Sequence, residues 1–147
     1  MPRVLITGMS GTDKSSVLAE LAGHGHPVLD TDDAGRHRAD GMWDEPRLQQ
    51  HLAAHPDLVV AGTAENQGRF SPWFAHVVLL SAPVEVLLDR LRERTDNPYG
   101  KSAAEQRDVR RYVLEVEPML RATADVEIDA RRPLSELVDL VESLLRA

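Results

Sequence analysis

Gly8-Met9-Ser10-Gly11-Thr12-Asp13-Lys14-Ser15 is the stretch that decides how this chain is read. A short apolar run, Val4-Leu5-Ile6, precedes it, and an amphipathic run, Val17-Leu18-Ala19-Glu20-Leu21, follows. Strand, glycine-rich turn and helix start are the setting of a phosphate-binding loop, whose pattern is Gly-x-x-x-x-Gly-Lys-Ser/Thr. Gly8, Lys14 and Ser15 fit that pattern. Asp13 stands where its second glycine belongs.

Each part of such a loop has a physical task. Successive backbone N–H groups make a concavity for phosphate oxygens. The helix start adds partial positive charge and unpaired donors. The candidate nucleotide cradle is therefore Gly8, Ser10, Gly11, Thr12, Asp13, Lys14, Ser15 and Ser16. Lys14 would reach the outer phosphates, and the Ser15 hydroxyl would ligate Mg²⁺, which takes oxygen ligands and keeps several waters. Asp13 opposes this twice, by bulk and by charge. Two like charges ~4 Å apart repel by ~4 kcal/mol at an effective dielectric of ~20. A weakened affinity for ATP is the expected result. A chance glycine turn before a helix is the plainer reading of the same residues.

A chain of 147 residues is sized for one domain. Its 42% hydrophobic and 28% charged content is ordinary for a globular protein. A net charge of −7 argues against a nucleic-acid polymer as partner, because such binders carry a basic face. It leaves room for small phosphates in a local basic pocket. There is no cysteine, which fits a reducing cytoplasm. No apolar run reaches membrane-spanning length and no secretory pattern opens the chain, so no membrane partner is expected.

Outward from the loop, the pattern repeats. A helix is expected from Lys14 to Ala22, with Val17, Leu18 and Leu21 on one face and Gly23 and Gly25 as stop signals. Pro27 to Asp30 reads as a strand ending in Asp30-Thr31-Asp32-Asp33. Ala34 to Glu45 is polar and irregular, a candidate substrate lid, and includes Trp43. Pro46 to His55 reads as a helix with Leu48 and Leu52 inward; His51 and His55 suit a solvated face better than a metal site. Leu58 to Gly62 is a nearly continuous apolar run, as in a strand buried on both faces. The polar cluster Thr63, Glu65, Asn66, Gln67 and Arg69 follows it. Val77 to Leu80 is another buried strand, and Pro83 suits the first position of the next helix. Asp96-Asn97-Pro98-Tyr99-Gly100 is a turn. Ser102-Ala103-Ala104-Glu105 is a capping box, and Pro118 should bend or end the helix it opens. Val126 to Asp129 is a last strand, and Pro133 opens a final helix. Strands alternating with helices predict an α/β fold with a parallel sheet covered on both faces, its ligands bound at the carboxyl ends of the strands.

With these pieces in order, nearly the whole chain resembles the small P-loop kinases of the nucleoside-monophosphate, shikimate and gluconate kinase group. The phosphate loop, Asp30-x-Asp32 after the second strand, the run from Val77 through Arg90 to Arg94, and Ala124 to Leu145 carry the resemblance. It implies a three-layer sandwich on a five-stranded parallel sheet, a single domain over residues 1–147, a short lid at about 95–111, and a monomer. It also implies phosphoryl transfer from ATP with Mg²⁺ to a small acceptor. That chemistry needs positioning and neutralisation of spreading charge more than covalent steps. Lys14, Asp32, Arg90 and Arg94 are the expected catalytic residues: Asp32 accepts the acceptor's proton, and the arginines clamp the moving phosphate. Ser15 and Asp30 are the expected Mg²⁺ partners. Asp32, Glu65, Asn66, Gln67, Arg69 and Arg110 are expected on the acceptor side, with Arg107, Arg111 and Lys101 as further lid cations.

Plainer roles fit several of these positions. Aspartates after a strand are common turn formers. Arg90 and Arg94 also suit an exposed face beside Asp89 and Glu93. Trp43 suits a ligand ring and a core edge equally. Shikimate kinases carry an acceptor-gripping arginine two residues before a proline; here Val116 precedes Pro118 at that spacing, which disfavours shikimate. A hydroxyl-rich or nucleoside-like acceptor fits better. A non-catalytic relative that binds a metabolite or partner without turnover is the alternative that Asp13 favours.

Overall fold

The computed structural model describes residues 3–9, 11–31, 42–93 and 101–146. Within them β1 (Val4–Thr7), β2 (Val28–Asp30), β3 (Val59–Ala61), β4 (His76–Ser81) and β5 (Val126–Asp129) form one sheet in the order β2-β3-β1-β4-β5. Every neighbouring pair is parallel. The register aligns Asp30 with Ala61, Ile6 with both Ala61 and Val78, and Ser81 with Asp129. All five strands therefore end at one rim.

Among the described residues six helices cover the sheet: α1 (Lys14–Gly23), α2 (Glu45–Ala54), α3 (Val84–Glu93), α4 (Ala103–Glu115), α5 (Glu117–Thr123) and α6 (Leu134–Arg146). The alternation along the strands explains the layers. Val4, Ile6, Val59, Ala61, Val78 and Leu80 face α1 and α6, meeting Val17, Leu21, Leu137 and Val141. Leu5, Leu29, Val60 and Val77 face the other way, against Trp43, Leu48, Leu52 and Phe70. Leu79 meets Leu87 of α3 and Leu120 of α5 on that second face. Burying one such aliphatic side chain contributes about 1.5–3 kcal/mol, so both interfaces hold the sheet in place.

Local signals act where the sequence puts them. Ser102 and Glu105 form the reciprocal capping box that opens α4. Pro118 cannot continue α4, because its ring would meet the carbonyl one turn back. The chain breaks at Val116, and Pro118 falls in the first turn of α5, where a missing N–H costs nothing. α2 begins one residue before Pro46, with the Asp44 carboxylate accepting from the Arg47 N–H at 3.2 Å. One element was not expected: Gln67–Trp73 is a 3₁₀ turn whose Phe70 is buried beneath β3 and β1.

The chain leaves β1 toward one face through α1 and leaves β3 toward the other through the 3₁₀ turn. Such a divergence opens a crevice at the carboxyl end of a parallel sheet.

Candidate functional site

β1 delivers the phosphate loop into this crevice. Gly8 has φ +152°, and a Cβ there would collide with the Leu80 carbonyl oxygen of β4. Only glycine lets the loop leave between two paired strands. Thr12 is fully buried, and its hydroxyl donates to the Met9 carbonyl at 2.8 Å. Its side chain therefore braces the loop from inside. Lys14 Nζ donates to the Gly8 and Met9 carbonyls at 2.6 and 3.1 Å, folded across the loop mouth. Ser16 is exposed on the first turn of α1. Ser10 lies outside the described residues.

Asp13 is the residue before α1 and sits at φ +68°, ψ +27°, the left-handed region. It is the one non-glycine there among the described residues. The glycine of the pattern thus has a conformational reason beyond space, and aspartate is among the few side chains that tolerate the substitution. The Asp13 carboxylate does not cap α1. It turns to Arg90, with Oδ2 3.5 Å from Nη1.

Arg90, from α3, joins three parts of the chain. Its Nη1 donates to the Gly11 carbonyl at 3.1 Å and its Nη2 to the Ala130 carbonyl, beyond β5, at 2.7 Å. Ser15 Oγ donates to Asp30 Oδ2 at 3.1 Å, across the gap between α1 and the end of β2. Lys14, Ser15, Asp30, Asp13 and Arg90 are thus gathered at the loop. Asp32 and Arg94 lie outside the described residues.

After β3 the arrangement departs from expectation. Asn66 is buried: its Oδ1 accepts from the Trp43 N–H at 3.0 Å, and its Nδ2 donates to the Trp43 carbonyl at 3.0 Å and to Glu45 at 3.2 Å. Gln67 is buried too, its Oε1 accepting from Thr7 at 3.3 Å and from the Ala64 N–H at 3.0 Å. These amides serve buried polar groups that would otherwise be orphaned, a structural role that the sequence reading did not give them. Arg69 is exposed and pairs with Glu45 at 3.4 Å, and Glu65 is exposed. Trp43 is fully buried, edge-on to Phe70 with centroids 5.6 Å apart. Of its two expected roles, the structure gives it the core. Arg110 pairs with Glu85 of α3 at 2.7 Å, and that guanidinium holds the Glu85 carboxyl below its usual range. The stretch expected as a lid divides: 94–100 lies outside the described residues, and Ala103 onward belongs to α4.

The sequence reading gives two participants no role of their own, naming Thr63 only within the polar cluster after β3 and Glu45 only as the end of an irregular segment. Thr63 Oγ1 donates to the Gly8 carbonyl at 2.8 Å and lies 3.0 Å from the Thr7 hydroxyl, so it ties the end of β3 to the loop. A hydroxyl directly after a buried strand beside β1 was the available signal. Glu45 links Asn66 to Arg69, and nothing in its sequence setting marks it.

The donor set can be tested against the nucleotide and metal that the loop pattern implies. Among the described residues no three His, Cys, Asp or Glu side chains form a metal cage. Mg²⁺ does not need one, since it keeps waters and shares phosphate oxygens. The Ser15–Asp30 pair is a fitting anchor, and the glycine-lined exit of β1 is a fitting cradle. Asp13 is the single misfit.

A crevice over a five-stranded parallel sheet, entered by a glycine loop that ends in lysine and serine at a helix start, defines the class: a P-loop fold of the small-kinase type. The AAA domain family model matches residues 4–113, and the chain belongs to that family. Solved structures agree on the fold. Shikimate kinase from Bacteroides thetaiotaomicron superposes with a TM-score of 0.73 at 19% identity, covering 99% of each chain. Shikimate kinase from Acinetobacter baumannii, in complex with shikimate, gives 0.69 at 20%, covering 99% of this chain and 92% of that one. A gluconokinase from Sinorhizobium meliloti gives 0.61 at 20%, covering 99% and 91%. No curated protein matches in sequence.

Proposed function

We propose that this protein transfers a phosphoryl group from ATP to a hydroxyl or phosphate of a small polar acceptor, nucleoside-like, nucleotide-like or polyol-like, with nucleotide binding weakened by Asp13. The observation that carries this is the gathering of Lys14, the Ser15–Asp30 pair and Arg90 around one glycine-built loop. Mg-ATP, when bound, supplies the phosphoryl group and neutralises its spreading charge. Lys14 exchanges the Gly8 and Met9 carbonyls for phosphate oxygens. Ser15 and Asp30 orient the metal's oxygen shell. Arg90, already tied to Gly11 and Ala130, presents fixed positive charge beside the loop. Asp32 accepts the acceptor's proton, Arg94 joins the clamp, and residues 95–111 act as a short lid that excludes water. Arg69 and Glu65, exposed after β3, are the side chains of that segment left for the acceptor; Arg110 reaches it only by leaving Glu85. The protein works as a monomer in the cytoplasm.

The test is a coupled assay for ADP release over nucleosides, nucleotides, sugars and hydroxy acids. Acceptor-dependent release supports the proposal. Acceptor-independent release rejects it in favour of a hydrolase. Asp13, in the glycine position and paired with Arg90, favours a second reading: a relative that binds a metabolite or partner without turnover. Silence with every acceptor, persisting in Asp13→Gly, selects that reading.

A further inference from the structure

Lys14 donates to two carbonyls, those of Gly8 and Met9, at 2.6 and 3.1 Å. Both residues are buried. The proposed phosphoryl transfer takes the ammonium off both of them, and a buried carbonyl stripped of its donor is costly. Each of the two, however, also accepts from a threonine hydroxyl. Thr12 Oγ1 donates to Met9 at 2.8 Å, from within the loop. Thr63 Oγ1 donates to Gly8 at 2.8 Å, from the end of the neighbouring strand. Behind Thr63 stand a second hydroxyl and an amide. Thr7 Oγ1 is 3.0 Å from Thr63 Oγ1 and donates to Gln67 Oε1 at 3.3 Å. That oxygen also accepts from the Ala64 N–H at 3.0 Å. The two hydroxyls bring one proton each to three contacts: Gln67, one another, and Gly8. With Lys14 in place, the Thr63 proton is free to serve Gly8 or Thr7. With Lys14 gone it is committed to Gly8, Thr7 turns to Thr63, and Gln67 keeps the Ala64 N–H. Two hydroxyl rotations separate the arrangements, and neither leaves an acceptor of the row unmet.

We propose that Thr63 is a positioning residue for Lys14: its hydroxyl holds the Gly8 carbonyl when the ammonium turns to phosphate, so that the lysine leaves without stranding a buried acceptor. The destination of Lys14 rests on the phosphoryl-transfer reading; the shared carbonyl does not. Thr12 does the same for Met9 from inside the cradle itself. Thr63 comes from outside the loop, so it can be changed without altering the loop's own residues.

Thr63→Val keeps the shape of the side chain and removes the hydroxyl; Thr63→Ser keeps the hydroxyl. Lys14 and Lys101 are the two lysines of the chain, so ¹³C-lysine labelling gives two Cε signals, the second an internal reference. In the nucleotide-free protein, ¹³Cε relaxation should show Lys14 more ordered in Thr63→Val, where the Gly8 carbonyl loses its hydroxyl donor and leans on the ammonium. Thr63→Ser should match the wild type. Lys14 unchanged or less ordered in Thr63→Val overturns the proposal. The second measurement is calorimetric titration of Mg-ATP in the Asp13→Gly background. Thr63→Val should bind roughly tenfold more weakly, one unit in log Kd, and Thr63→Ser should restore the affinity. With Lys14→Ala added there is no ammonium to release, and Thr63→Val should then change Kd by less than about twofold. A merely structural Thr63 would weaken both backgrounds alike, and that result overturns the proposal as well. Failure of every variant to bind Mg-ATP rejects the phosphoryl-transfer reading instead, and the order of Lys14 still decides whether Thr63 governs its release.

Discussion

Replacing Asp13 by glycine should tighten Mg-ATP binding by about 1.5–3 kcal/mol, roughly 10–100-fold in Kd. The figure follows from the geometry. A carboxylate held about 4 Å from a phosphate charge costs about 4 kcal/mol at an effective dielectric of ~20. Asp13 is 43% exposed, so solvent and salt remove a good part of that. Its pairing with Arg90 adds a loss of the opposite kind, since a guanidinium facing a carboxylate has less to offer a phosphate. The backbone contributes little. A left-handed aspartate carries a strain of about 1 kcal/mol, and glycine forfeits a similar amount through the unfolded chain. Folding stability should therefore change little while affinity changes greatly. Isothermal titration of Mg-ATP into the wild type, Asp13→Gly and Asp13→Asn separates the causes. Asparagine tolerates the same backbone region and removes only charge; recovery with Asn assigns the penalty to charge, and recovery with Gly alone assigns it to bulk. Equal dissociation constants for all three would refute the reasoning.

Other perturbations test the rest of the structure. Lys14→Ala in the Asp13→Gly background should reverse most of the gained affinity in the same titration, since its ammonium lies folded over the loop at the Gly8 and Met9 carbonyls. Asn66→Ala should cost about 2–4 kcal/mol in urea unfolding, because both backbone groups of Trp43 lose a buried partner. Trp43→Ala should cost about 3–5 kcal/mol by the same measurement, and a smaller loss with weakened nucleotide binding would return Trp43 to a ligand role. The His26 and His24 rings beside Glu142, at 2.8 and 3.2 Å, hold its carboxyl below the usual range. Its contribution is therefore complete above the ordinary carboxylate value of about 4.3 and fades as pH falls through the lower folded value. Glu142→Gln should be less stable than wild type at neutral pH, and the gap should close in acid.

The strands were legible because burial on both faces leaves a continuous apolar signature, as in Val59-Val60-Ala61, and β5 was read to the residue from Val126-Glu127-Ile128-Asp129. That Lys14, Ser15 and Asp30 lie together at the ends of β1 and β2 was legible because their positions follow from strand ends and one local motif. Asn66 and Gln67 were not. A polar side chain after a strand looks the same whether it awaits a ligand or satisfies buried backbone, and only the depth of Trp43 and Phe70 decides between them. The 3₁₀ turn was hidden for the same reason, since its single deep anchor, Phe70, sits among polar and small residues. The capping box and the break at Pro118 were legible because both act within one helical turn.

The contacts of Arg90 bear on the order in which the protein is completed. One guanidinium fastens the first turn of the chain, at Gly11, to the turn that follows the last strand, at Ala130. The loop that follows β1 is thus held in part by the turn that follows β5. A nascent or truncated chain that stops before β5 has the glycines, the lysine and the serine, yet lacks the brace that sets them. On the proposed reading, phosphate binding therefore depends on the far edge of the sheet as well as on the loop's own residues.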